Sequence, residues 1–178
     1  RALALAGQAS QARRDLDAVD AVLASRGFGP DTVERQRSWS AQAEAALRDG
    51  DMVAAGALLK RLLAEHQRAT PAHPLDHAQA LDLAGQRLRA LGQPDQALAL
   101  HLRADHLLRA ALPAQHPLRL RCRLLQALAS RPVATDAAHA AHAAALHEAA
   151  AAYRRVLPTD SVWQAPLQAM AAAATSAG

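Results

Sequence analysis

Aromatic residues are almost missing from this chain. Of its 178 residues only Phe28, Trp39, Tyr153 and Trp163 are aromatic, although 51% are hydrophobic. The apolar mass is therefore Ala and Leu, and a core of such small side chains requires helices that approach closely. β-branched residues are few, and no segment alternates apolar and polar residues with the strand period, which excludes a sheet protein. The single cysteine, Cys122, excludes an internal disulfide and a zinc site built from cysteine pairs, and is expected to be a buried structural residue. No run of about 18 apolar residues is available to span a membrane, and no signal-peptide pattern is visible. There is no Gly-rich phosphate loop and no nucleophile motif around any serine. These absences exclude the common catalytic signatures, and no catalytic residue, cofactor or metal is expected.

Lysine is nearly absent too. Lys60 stands alone against 19 arginines, a usage that fits a GC-rich bacterial genome. The net charge is +4 and uneven: residues 1–100 carry 12 basic and 12 acidic side chains, whereas 101–178 carry eight arginines against Asp105, Asp136, Glu148 and Asp160. A bias this mild tolerates acidic partners without requiring them.

What the chain does have is a period. Gly, a polar residue, then Ala five positions past the Gly recurs at Gly7/Gln8/Ala12, Gly50/Asp51/Ala55 and Gly92/Gln93/Ala97, with the glycines 43 and 42 residues apart. A second marker keeps step. Gly29-Pro30-Asp31 precedes one apolar helical pattern, His73-Pro74-Leu75 the next, and His116-Pro117-Leu118, 43 residues on, the one after. Leu157-Pro158 echoes Leu112-Pro113, 45 residues back. A glycine that ends one helix and a proline that starts the next describe a helix–turn–helix unit.

This spacing predicts helices over 1–6, 8–26, 31–48, 52–68, 75–91, 95–111, 117–131, 136–156 and 161–174. Asp31 or Thr32 is the expected N-cap of the 31–48 helix and Asp95 that of the 95–111 helix. The expected architecture is all-α, a right-handed solenoid of stacked antiparallel helix pairs forming one domain over 1–178. Its parts are a partial unit 1–27, units 30–69, 74–112 and 117–157, and a capping helix 161–175. Because the chain starts without Met inside a helical pattern, it is expected to be a piece of a longer protein.

The residues at these positions resemble the tetratricopeptide repeat. Its pattern of a large apolar residue, small residues, a turn glycine and small residues in the second helix is met by Leu81, Ala84-Gly85, Leu88, Gly92, Ala97 and Ala104, and one unit earlier by Trp39, Ala43, Ala46, Gly50 and Ala55. The period exceeds the usual ~34 residues, and with the Gly-Pro-Asp and His-Pro turns it is similar to the longer kinesin-light-chain-type variant, common in bacterial regulators and in the repeat regions of bacterial serine/threonine kinases. The resemblance implies a non-catalytic scaffold that binds a protein or peptide in a concave groove lined by the first helix of each pair. By position it implies groove residues Arg37, Ser40, Glu44 and Arg48 in one unit, Gln79, Asp82, Gln86 and Arg89 in the next, and Arg119, Arg123, Cys122 and Leu125 in the third. The family's carboxylate clamp would need Asn where Glu44 and Gln86 stand and Lys where Ser40 and Asp82 stand, so a chaperone-tail clamp is not implied. Trp39 falls at the family's packing position and is expected in the core.

The histidines and arginines admit sharper readings. His73 and His77 lie i, i+4 and His139 and His142 i, i+3, with His147 and Glu148 a turn on; this could seat two ligands, but solvated or capping histidines are expected. Arg119, Arg121 and Arg123 spread over a broad arc of a helix rather than one face, and without stacking aromatics no nucleic acid is expected. The function expected is therefore a protein-interaction or sensor module, the regulatory part of a bacterial signalling protein such as a serine/threonine kinase. Two alternatives stay open: a regulator sensing a small molecule or peptide, and a nucleic-acid-binding helical repeat. A homodimer is left open, as is the compartment: cytoplasm, or periplasm if the module is attached to a transmembrane kinase.

Overall fold

A computed structural model describes residues 2–68, 73–130 and 135–158. Within them the chain forms seven helices and no strand: α1 (Ala2–Ser25), α2 (Val33–Arg48), α3 (Met52–Arg68), α4 (Pro74–Ala90), α5 (Pro94–Ala111), α6 (Pro117–Ala129) and α7 (Asp136–Val156). The architecture is an all-α solenoid. The predicted helix 161–174, with its capping role and Trp163, falls outside the described residues.

The turns explain the boundaries. Gly50 and Gly92 take φ of 77° and 75°, a left-handed backbone that costs a side chain-bearing residue energy. Each closes a Schellman motif. Gly50 N–H donates to the Leu47 carbonyl at 3.2 Å and Asp51 N–H to that of Ala46 at 2.9 Å; Gly92 and Gln93 repeat the pair on Arg89 and Leu88 at 3.0 and 2.9 Å. Gly50→Val is expected to cost at least ~1 kcal/mol, read from the shift in urea midpoint. A neutral result would contradict this turn.

Gly7 does not turn the chain: α1 runs unbroken through it, so the predicted break between 1–6 and 8–26 is absent. A glycine inside a helix costs only about 1 kcal/mol, which its helix-forming neighbours outweigh. The glycine that ends this helix is Gly27, at φ 84°, where Phe28 N–H reaches the Leu23 carbonyl at 3.1 Å. Pro74, Pro94 and Pro117 open their helices, positions at which the missing N–H has no helical partner to lose. The N-cap of α5 is therefore Gln93, and Asp95 sits in the first turn, where its charge suits the helix dipole. Thr32 is the N-cap of α2, but its hydroxyl donates back to the Gly29 carbonyl at 2.7 Å. Thr135 caps α7 by accepting from Ala138 N–H at 3.1 Å.

Hydrophobic burial is shared between successive pairs. Trp39, Ala43 and Ala46 of α2 pack with Ala55, Leu59 and Leu62 of α3 and with Ala80, Leu83 and Ala84 of α4. Ala78 and Leu81 of α4 join Ala104 and Leu108 of α5 and Cys122 of α6. Leu120 and Leu124 of α6 meet Ala150 and Tyr153 of α7. Each cluster holds one hairpin, and two of them reach into the next, which is how a solenoid gains stability from neighbour contacts. The repeat register shows in the buried face of the second helices: Ala55, Leu59, Leu62 and His66 in α3 correspond, 42 residues on, to Ala97, His101, Ala104 and Leu108 in α5, and all eight are buried.

Candidate functional site

The inner wall is made by the first helix of each pair. The backbone of α2 lies close to that of α4, and that of α4 close to that of α6, whereas no Cα of the second helix α3 lies within 8 Å of one in α5. First helices that meet while second helices splay apart put α2, α4 and α6 on the concave side.

Arg37 of α2 donates to both carboxylate oxygens of Asp76 in α4, at 3.3 and 3.4 Å, and so ties two units together on the exposed face. Glu44 and Arg48 pair one turn apart at 2.7 Å. Gln79 and Gln86 are half-buried, and Gln86 donates to the Asp82 backbone carbonyl at 3.5 Å. Arg89 is exposed, with no ion partner for its side chain among the described residues. Tyr153 of α7 is buried, and burial raises its phenol pKa; Arg121 of α6 opposes this and Glu44 of α2 adds to it. The α2–α3 and α6–α7 pairs thus both act electrostatically on one phenol.

Five expected groove positions, Ser40, Asp82, Arg119, Cys122 and Leu125, are buried rather than on an open wall. Ser40 is buried and its hydroxyl finds no hydrogen-bond partner among the described residues. Asp82 is buried against α5, its Oδ1 2.8 Å from Nδ1 of the fully buried His101. Arg119 is buried and donates to the Leu112 carbonyl at 3.2 Å. Arg123 is exposed, but it borders a cleft of about 360 Å³ between α6 and α7 with Gln126, Ser130 and Glu148. Cys122 and Leu125 are buried as well, and burial pushes the Cys122 thiol pKa far up, so it is an inert core residue.

Sequence reasoning missed the polar core beneath this wall. His101 stands in register with Ala97 and Ala104 on the packing face of α5, and that register was the available signal that it needed a buried partner. Its ring lies against Gly85: a Cβ there would come within 2.5 Å of Cε1 and 2.7 Å of Nε2. Cys122 Sγ and Gln126 Nε2 both donate to the His101 backbone carbonyl, at 3.2 and 3.3 Å, so the α4–α5 pair is joined to α6 through the same residue. His77 departs from expectation also. It is half-buried and stacked on His66 rather than solvated. Among the described residues no three His, Cys, Asp or Glu side chains converge to hold a metal, and no helix is long and apolar enough to cross a membrane.

No family model matches the chain, and no curated protein does. Among solved structures it is similar to the crystal structure of a Podosopora anserina kinesin light chain with nearly identical TPR-like repeats, at 22% identity and a TM-score of 0.64, over 96% of this chain and 79% of that one. A single-substitution variant of that protein matches equally, at 22% identity and a TM-score of 0.64. The likeness shows the fold alone: an all-α solenoid with the TPR-like arrangement of paired helices.

Proposed function

We propose that the chain is a non-catalytic protein-interaction module, and that it serves as the regulatory part of a bacterial signalling protein such as a serine/threonine kinase. The signalling context rests on the resemblance of its long repeats to those of bacterial regulators. The interaction role rests on one observation above the rest: first helices from successive units join into a continuous wall. The polar side chains left on that wall are Arg37, Glu44, Arg48, Gln79, Gln86 and Arg89. They suit a peptide segment or a domain surface that offers carboxylates to the arginines and backbone groups to the glutamines.

A pull-down from host lysate, comparing the wild-type chain with an Arg48→Ala/Arg89→Ala variant, tests this. Proteins held by the wild type should be retained about tenfold less by the variant, the loss of about 1.4 kcal/mol that one or two charge-assisted hydrogen bonds provide. Equal capture by a variant that keeps its melting temperature would overturn the groove assignment.

A further inference from the structure

We propose that the seam between α3 and α4 is an acid-opened joint, in which protonation of the stacked His66–His77 pair loosens the first repeat pair from the second. The two rings lie 5.2 Å apart between centroids and 19° from parallel. His66 ends the buried face of α3 that begins with Ala55, Leu59 and Leu62; one unit on, its place is taken by Leu108. A titratable ring thus occupies a position that the neighbouring repeat gives to an aliphatic one. Both Nε2 atoms are buried and neither has a hydrogen-bond partner among the described residues. A proton added at either nitrogen has no acceptor among the described residues, and two protons place like charges face to face.

The surrounding groups support the same direction. Burial is the main cause that lowers the pKa of His66, with His77 and His73 adding to it, against Asp76 and Glu65. Those two acids are already engaged, Asp76 by Arg37 of α2 and Glu65 by Arg68, at 3.3 and 3.0 Å. Burial also lowers His77, and Arg103 of α5 adds to it. His106 of α5 borders the cleft that His77 lines. Both histidines therefore bind protons less readily folded than unfolded. Above the ordinary histidine value of about 6.5 the seam is unaffected. As pH falls through that value the opened chain takes up protons first, and stability is lost until the lowered folded values are reached. Each excluded proton raises the opening constant by up to about tenfold per pH unit.

The test uses the unaltered chain beside a variant. The C2 proton resonances of its nine histidines are followed by NMR across the histidine range, and urea unfolding of the wild type is compared with that of His66→Phe/His77→Phe. The resonances of His66 and His77, assigned through single His66→Gln and His77→Gln variants, should titrate below the ordinary histidine value. Acidification to about one pH unit below the ordinary histidine value should raise the wild-type unfolding constant at least threefold more than that of the variant. His66 and His77 titrating at or above the ordinary value would overturn the proposal. So would a variant that loses as much on acidification as the wild type. If the double variant does not fold, His66→Gln serves in its place, and the titration of the unaltered chain decides alone.

Discussion

Replacing Trp39 by Ala should cost about 3–5 kcal/mol, the range for removing a buried aromatic. Trp39 is 1% exposed and heads the fully buried side chains. What surrounds it sets the size of the effect. Its cluster includes Ala43, Ala46, Ala55, Ala80 and Ala84, side chains too short to swing into the space the indole leaves. A cavity that cannot collapse keeps its full cost. The ring also lies beneath two cations, with the Arg61 guanidinium 3.8 Å and that of Arg35 5.1 Å from its centroid. Arg35 is fixed from α1 by Asp20, at 2.9 and 3.0 Å, and this contact is the main cause that holds the Asp20 carboxyl low. Loss of the indole is therefore felt in α1 through α4. Urea unfolding measures it; a loss below about 1 kcal/mol would contradict a core built on this residue.

Gly85→Val should cost about 3 kcal/mol, the outcome of two opposed effects. Any side chain at a helical glycine gains up to about 1 kcal/mol in helix propensity. Here the added Cβ would stand 2.5 Å from the ring of His101. That ring has nowhere to go: it is fully buried, and Asp82 holds it at 2.8 Å. Overpacking of about 1–3 kcal/mol, and more for a branched side chain, outweighs the propensity gain. The cause can be isolated in a double-mutant cycle. Gly85→Ala should destabilise the wild type, yet stabilise a His101→Ala chain by about 1 kcal/mol, since the obstruction is then gone. Gly85→Ala that is stabilising in both backgrounds would refute the account of this site.

The fold was largely legible because its signals are local. Left-handed backbone at Gly50 and Gly92 needs glycine, helix starts at Pro74, Pro94 and Pro117 need no N–H, and both leave marks in the chain at a fixed spacing. Gly7 shows the limit, for the same letter that ends one helix can sit inside another when its neighbours favour the helix. The candidate site was less legible. Ser40, Asp82 and Arg119 are expected on the groove because the resemblance to the tetratricopeptide repeat places groove residues at their positions. Whether they turn inward depends on a partner elsewhere in the chain, and for Asp82 that partner is His101, one helix away. The His66–His77 stack likewise joins the end of one helix to the start of the next, so neither half announces it.

Cross-linking across the inner wall tests most directly whether first helices from successive units stand side by side. Cysteines replacing Arg37 and Asp76, treated with a short bis-maleimide, should be joined within one chain, and mass spectrometry would locate the link. Cys122 is fully buried with its thiol pKa raised, so it should stay unmodified and need no removal. An outer pair replacing Val53 on α3 and Leu102 on α5, both exposed, should link slowly or not at all. A linked outer pair beside an unlinked inner pair would mean that the wall proposed to bind partners is not there.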